Sequence, residues 1–248
     1  MAFPRELAGL LLLLGLWQAV ALVFPSRLLP GPVEVGLELA SLTMSGPLLP
    51  DLGRTLVRVL VAFVVAMLLG TALGIVLGRI RSLDRLFGSW VVIGLNIPAI
   101  VTAIILYIWL GLTEFALVLA VVVNKLPLVA ATIREGVRSF DPAYDELARA
   151  FRLPLVRRLR LVYLPQLMPF VMAAARTGLS LIWKIVLVFE VLGSDGGVGF
   201  RISVFFQFFD VRGILAYTMA FILVVFAIEY GVLRPLERRL LGWREAGR

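Results

Sequence analysis

The sequence predicts an all-α, polytopic membrane fold with six transmembrane helices, and three observations carry that prediction. Hydrophobic residues make up 61% of the 248 residues and charged residues only 16%, at a mean hydropathy of +1.01, a balance foreign to soluble domains of this length. The apolar residues fall into long runs close to the roughly 20 residues a helix needs to cross a bilayer. One long polar segment, DPAYDELARAFRLPLVRRLRLVYLP at 141–165, interrupts them and must face water. The whole chain, 1–248, reads as a single transmembrane domain.

The same composition removes several kinds of chemistry. There is no Cys and no His, so disulfides, thiolate or imidazole metal sites and Cys or His nucleophile–base pairs are excluded. A net charge of +8 would suit nucleic acid. In a membrane chain, however, basic residues first report topology and contact with lipid headgroups, so their positions decide.

The first apolar run, 7–24, reads as a span, with a cleaved signal peptide as the competing reading because Arg5 precedes it and Ala19, Val20 and Ala21 form a small-x-small site. Residues 25–50 carry Pro25, Pro30, Pro32, Pro47 and Pro50 and read as an external loop or surface helix. The second span, 56–78, places Gly70, Gly74 and Gly78 four apart on one face, where another helix can approach closely. A basic turn with Arg79, Arg81, Asp84 and Arg85 leads to the third span, 87–112. Within it, Asn96 and Pro98 mark either a plain kink or a freed carbonyl at a packed or wet position. Glu114 marks a tight turn, and 115–133 is a weaker fourth span interrupted by Asn124, Lys125 and Pro127. The fifth span is 166–191, a glycine-rich and aromatic loop occupies 193–212, and the sixth span is 213–233, before a basic tail.

An even number of spans puts both termini on one side, and the arginines choose which. Arg5, the Arg79 to Arg85 turn, the basic residues from Lys125 to Arg160, and Arg234, Arg238, Arg239, Arg244 and Arg248 all fall on the side of the termini. Arg27, Arg201 and Arg212 are left to the other side, with Arg54 and Arg58 at the outer entrance of the second span. The positive-inside rule therefore makes the termini and the 141–165 segment cytoplasmic. It also explains the basic balance without nucleic acid.

The polar segment divides into two short helices. Asp141 suits an N-cap and Pro142 the first helical position. Ala143, Leu147, Ala150 and Phe151 recur on one face, and Asp145 with Arg149 forms an acid-before-base pair. Pro154 ends this helix and opens another, in which Leu155, Leu159 and Val162 face away from Arg157, Arg158 and Arg160 until Leu164 and Pro165 stop it. On physics alone the hairpin fits equally a partner dock or an amphipathic helix lying on anionic membrane lipid.

Glu146, Ala148, Val162, Leu164 and Pro165 fall in register with the EAA motif of permease subunits of binding-protein-dependent ABC importers, in which E-A-A is followed after three residues by G and after nine more by I-x-L-P. Leu147 and Arg152 depart from it. The chain resembles this family along nearly its whole length, most closely the nitrate, sulfonate and taurine (aliphatic sulfonate) type. LLPGPVEV, TLVRVLVAFVVAMLLGTALGIVLG, EGVRSFDPAYDELARA, WKIVLVFEVLGSDGGVGF and LERRLLGWR stand in the family's order. The resemblance implies the six-helix type I ABC importer permease fold, working as a homodimer in the bacterial inner membrane with two ABC ATPase subunits and an extracytoplasmic substrate-binding protein. ATP and Mg would be held by the ATPase subunits, with no cofactor in this chain. The resemblance makes the hairpin the coupling helix, with Asp145, Glu146, Ala148, Arg149, Arg152 and Pro154 as its coupling residues. Arg152 stands where the family has glycine, so either it bears the steric cost of a left-handed backbone or the corner forms at Leu153 and Pro154.

Ionisable residues inside a membrane are functional candidates by default. Arg176, Lys184, Glu190 and Glu229 qualify, and Asn96, Pro98, Arg176, Trp183, Lys184 and Glu190 are the candidates for the translocation pathway, where a cationic lining suits an anion. The opposing reading has Arg176 and Glu190 snorkelling to the two interfaces and Lys184 paired to another helix. Lys184 and Glu190, six apart, lie about 240° apart around a helix and do not pair within it. Cargo expectations are nitrate, sulfonate, taurine or bicarbonate, with a pyrimidine or flavin compound as the alternative. A membrane enzyme would need a catalytic constellation, and none appears. An ion-coupled carrier would not need the hairpin.

Overall fold

A computed structural model describes residues 3–237 and 239, with side chains from Ala8 onward. The described residues are helical, with turns and no strand. Expectations resting on Arg5, Arg238, Arg244, Arg248 and most of the LERRLLGWR stretch lie outside the described side chains. The helices are α1 (Phe3–Val23), α2 (Pro32–Met44), α3 (Leu48–Arg79), α4 (Arg81–Asn96), α5 (Ala99–Leu110), α6 (Glu114–Arg138) and α7 (Pro142–Ala150). They are followed by α8 (Leu155–Gly193), α9 (Val198–Gln207) and α10 (Val211–Glu237).

Four of these, α3, α6, α8 and α10, are long and apolar enough to cross a membrane, and α4 with α5 makes a fifth if the bent pair counts as one span. α1 runs 21 residues, and its described apolar stretch is Ala8–Val23.

The chain divides into two compact units. The first comprises Met1–Leu56 with Glu190–Ala227, and the second Val57–Phe189 with Ile228–Arg248. In the first, α1 is tied to the start of α2: the Trp17 indole donates to the Pro30 carbonyl at 3.1 Å, and Gln18 accepts from the Val33 amide at 3.3 Å. Gly213 at the start of α10 lies against the ring of Phe205 in α9, where a Cβ would stand 2.7 Å away. Phe205 in turn packs edge-on against Tyr217, with ring centroids 5.4 Å apart.

The second unit is organised on α6. The face carrying Gly70, Gly74 and Gly78 meets it as the spacing predicts: a Cβ on Gly74 would stand 2.7 Å from the Ala130 carbonyl oxygen, and those on Gly70 and Gly78 equally close to Val129 and Val137. Gly94 of α4 receives the Pro127 ring, and Gly136 receives Phe170 of α8. Each glycine removes the side chain that would hold the helices apart. Val129, Ile133, Val137, Leu167 and Ala174 form the buried core that results.

Several expected boundaries differ, mostly around proline. The second span begins at Leu48 rather than near Leu56, because Pro50 falls in the first turn, where its missing N–H breaks nothing. The third span is not one kinked helix: α4 and α5 meet at a 98° bend. Pro98 cannot donate, and it holds Ile97 extended, at φ −71° and ψ 123°. The expected interruption of the fourth span is absent. α6 runs unbroken through Asn124, Lys125 and Pro127 to Arg138, because Gly94 leaves room for the proline ring.

The fifth span does not start after Pro165. α8 is continuous from Leu155, with a π-helical turn at Leu159–Tyr163 in which the Leu164 amide bonds the Leu159 carbonyl. α10 repeats the device: its π turn, Glu229–Leu233, stands one residue before Pro235 as the first stands one residue before Pro165. A widened turn just ahead of a proline takes up the hydrogen bond and the clash that would otherwise break the helix. The expected loop at 193–212 contains α9.

Candidate functional site

The polar hairpin is built by local signals at its entrance. Asp141 accepts the Ala143 amide at 2.9 Å as an N-cap, and Pro142 occupies the first turn of α7, as expected. Gln166 of α8 accepts the Asp141 amide at 3.0 Å and donates to the Val162 carbonyl at 3.1 Å, so the base of α7 is pinned to α8.

The corner stays where the glycine pattern puts it. Arg152 has φ +49°, the Arg152 amide bonds the Arg149 carbonyl, and the Leu153 amide bonds the Ala148 carbonyl, both at 2.9 Å. This pair of bonds is a Schellman ending, which needs one left-handed residue just past the helix. Arg152 supplies it at a steric cost, and Pro154 then caps α8 in an extended conformation.

Two expected features of α7 are replaced. Asp145 pairs with Arg158 across the hairpin at 2.9 Å, not with Arg149 in its own helix. The Arg158 guanidinium, and then the Tyr163 hydroxyl, hold its carboxyl below the usual carboxylate range. The inward residue of α7 is Ala148, only 2% exposed, whereas Leu147 and Phe151 of the expected apolar face are exposed, Phe151 by 72%. Leu155 and Val156 continue the exposed apolar surface, and Glu146, Arg149, Arg152 and Pro154 are also exposed. Tyr163 consolidates the far side, stacked on Phe140 at 5.7 Å with the Arg79 guanidinium over its ring at 4.3 Å. The result is a rigid hairpin that presents apolar side chains and charges outward.

The intramembrane candidates separate into different roles. Glu190, expected either in the pathway or snorkelling outward, is 0% exposed. It accepts the Thr55 hydroxyl at 2.9 Å and the Gly199 amide at 2.8 Å. Asp51, which sequence reasoning passed over, does the same for the neighbouring turn, accepting from the Gly197 amide at 3.3 Å, Arg201 at 3.0 Å and the Tyr217 hydroxyl at 2.9 Å. Two buried carboxylates thus satisfy the amides at the start of α9. Because Glu190 and Asp51 lie far from α9 in sequence or on another helix, no local pattern announces them.

Arg176 bonds Glu229 at 3.3 Å and Glu237 at 3.2 Å, which ties α8 to the end of α10. Trp183 is buried, and Lys184 is exposed on the other side of α8 from Glu190, as the spacing requires. Asn96 turns back to the Val92 carbonyl at 2.8 Å, and Asn124 reaches the Ile97 carbonyl at 3.5 Å, so both amides serve the α4–α5 bend. Arg58, expected at the outer entrance of its span, is buried and held by Glu114, with Nε to Oε2 at 2.7 Å.

Lys125 is only 7% exposed. It and Lys184 are the only lysines in the chain, and among the described residues neither has an ion pair.

Residues 62–240 match the family model described as "Binding-protein-dependent transport system inner membrane component". The chain is 26% identical over 96% of its length, and 88% of the relative's, to the putative aliphatic sulfonates transport permease protein SsuC of Bacillus subtilis. It is 32% identical, over 94% of the chain and 88% of the relative, to the riboflavin transport system permease protein RibX of Chloroflexus aurantiacus. Its fold is that of a chain of the MetNI methionine ABC transporter in an inward-facing conformation, at a TM-score of 0.68 and 18% identity over 80% of this chain and 98% of that one. A bent, proline-shaped set of membrane helices carrying one exposed polar hairpin, with these matches, identifies the chain as a member of the binding-protein-dependent transport system inner membrane component family, the permease subunit of an ABC importer.

Proposed function

We propose that this chain, as a homodimer with six spans per protomer, carries a small anionic solute of the sulfonate class inward from an extracytoplasmic binding protein, driven by two ATPase subunits that dock on the hairpin. The observation that carries the docking is the exposed apolar surface of Leu147, Phe151, Leu155 and Val156, rimmed by Glu146, Arg149, Arg152 and Pro154 on a hairpin pinned at its base. A rigid element with an apolar centre and a charged rim can transmit a rigid-body movement. Ala148 contributes from inside, because its small side chain lets α7 pack against α8; Asp145 contributes by locking the two helices through Arg158. ATP and Mg belong to the partner subunits.

An anionic cargo is supported by the similarity to a chain named as a putative aliphatic sulfonates transport permease and by two lysines in apolar helices that have no ion pair among the described residues. The similarity to a riboflavin permease supports a flavin-like cargo as the second reading. Arg176 serves as a brace to Glu229 and Glu237 and Glu190 as an anchor, which leaves Lys184, Trp183 and the Asn96–Pro98 bend as pathway candidates.

The test is the Glu146→Lys variant, assembled with its ATPase subunits and binding protein in proteoliposomes. Reversal of one exposed rim charge should leave the folded dimer intact and cut ATPase stimulation by loaded binding protein by roughly ten-fold, the scale of a lost interfacial charge contact. Unchanged stimulation would remove the docking role. Transport driven by an ion gradient without ATPase subunits would overturn the importer reading itself.

A further inference from the structure

Within the second unit, the C-terminal ends of α3 and α6 and the first turns of α8 enclose an open groove of about 390 Å³. Its walls are almost wholly apolar, contributed by Ile75, Val137, Val156, Leu159, Leu164 and Leu167, and the guanidinium-bearing Arg79 and Arg160 stand among them. Arg79 is the last residue of α3, where a helix of membrane-crossing length ends and the basic turn begins. The groove therefore lies at the depth where hydrocarbon gives way to headgroups.

The charges around it are unevenly neutralised. Arg134 and Arg138 share Asp84, and Arg158 has Asp145. Among the described residues Arg79 and Arg160 have no carboxylate partner, and Arg79 rests on the Tyr163 ring instead. An occupant that matches both features needs a long apolar part and a negative head. A peptide strand would leave backbone polar groups unsatisfied against such walls, whereas basic pockets between membrane helices suit anionic lipid headgroups. We infer that the groove is a binding site for one anionic phospholipid, its acyl chain along Ile75, Leu159 and Leu164 and its phosphate between Arg79 and Arg160.

Native mass spectrometry of the full chain, released from nanodiscs of mixed phosphatidylcholine and phosphatidylglycerol, tests the site by the lipid that stays bound. Wild type should retain phosphatidylglycerol in preference to phosphatidylcholine. Arg79→Gln with Arg160→Gln should lower that retention by roughly ten- to thirty-fold, the scale of two arginine–headgroup attractions. Leu159→Trp, which fills the groove and keeps both arginines, should lower retention of either lipid. Retention unchanged in both variants would overturn the site. Loss in the arginine variant alone would reduce it to a surface headgroup patch, and displacement by glycerol 3-phosphate would show that the acyl chain plays no part; either result overturns the groove. A lipid-free dimer with retention only in the monomer would assign the groove to a second copy.

Discussion

Arg152 is the residue at which the hairpin's geometry and its chemistry disagree. The Schellman bonds from Arg152 and Leu153 fix the corner, and φ +49° places a Cβ in the region where it crowds the following carbonyl. Arg152→Gly should therefore stabilise the corner by about 0.5–1 kcal/mol, the left-handed strain relieved less the extra freedom glycine gains when unfolded. Arg152→Val should weaken it. Hydrogen exchange at the amides of residues 147–153 reads both changes, and slower exchange in the valine variant than in the glycine variant would show that side-chain contacts outweigh the strain. The Asp141 cap and the Pro142 start were legible because they depend on neighbours two or three positions away. The partner of Asp145 was not, because Arg149 and Arg158 both offer a guanidinium and only the crossing of α7 with α8 selects the second. Asp51 and Glu190 were illegible in their roles for the same reason: the amides they satisfy belong to a helix elsewhere in the chain.

At the scale of elements, glycine was a reliable guide and proline a poor one. Three glycines four apart demand a close neighbour whatever its identity, and the second half of α6, from Leu126 to Val137, fills that demand. Proline only removes a donor and adds a clash, and its surroundings decide the outcome: a 98° bend at Pro98, straight passage at Pro127 against Gly94, and a π turn ahead of Pro165 and Pro235. Reading Pro165 as a stop and Pro127 as an interruption thus shortened α8 and divided α6, whereas α10 was cut short by its basic tail and runs on to Glu237. The packing claim can be separated from helix propensity within α3 itself. Gly74→Val should destabilise the protein by about 1–3 kcal/mol through overpacking against the Ala130 carbonyl and Ile133. Gly53→Ala, on the same helix with nothing within 4 Å of its added carbon, should be neutral or slightly stabilising. Thermal unfolding in detergent with a fluorescent probe of exposed surface compares the two. Equal losses would mean that the stripe reflects helix flexibility and not contact with α6.

For the whole molecule, composition and the positions of arginine carried most of the information, because the bilayer constrains a chain more severely than any single contact does. Length alone does not set the number of crossings, since α4 and α5 pass the length test only as one bent unit. Orientation depends on that number, and one contributor to the cytoplasmic charge, Lys125, is buried within α6 and does not belong to a loop. The expectation of a cytoplasmic hairpin therefore rests on the arginine pattern of the sequence, without Lys125. The chain lacks cysteine, which makes the topology directly measurable with single substitutions at exposed positions. With Arg157→Cys in the hairpin and, separately, Phe208→Cys between α9 and α10, a membrane-impermeant maleimide should label the first only in inverted vesicles and the second only in intact cells with a permeable outer envelope. The reverse pattern would place the hairpin outside and deprive it of any cytoplasmic ATPase. Labelling of both from one side would mean an odd number of crossings between the two positions is wrong, and would require α8 to be re-entrant despite its length of 39 residues.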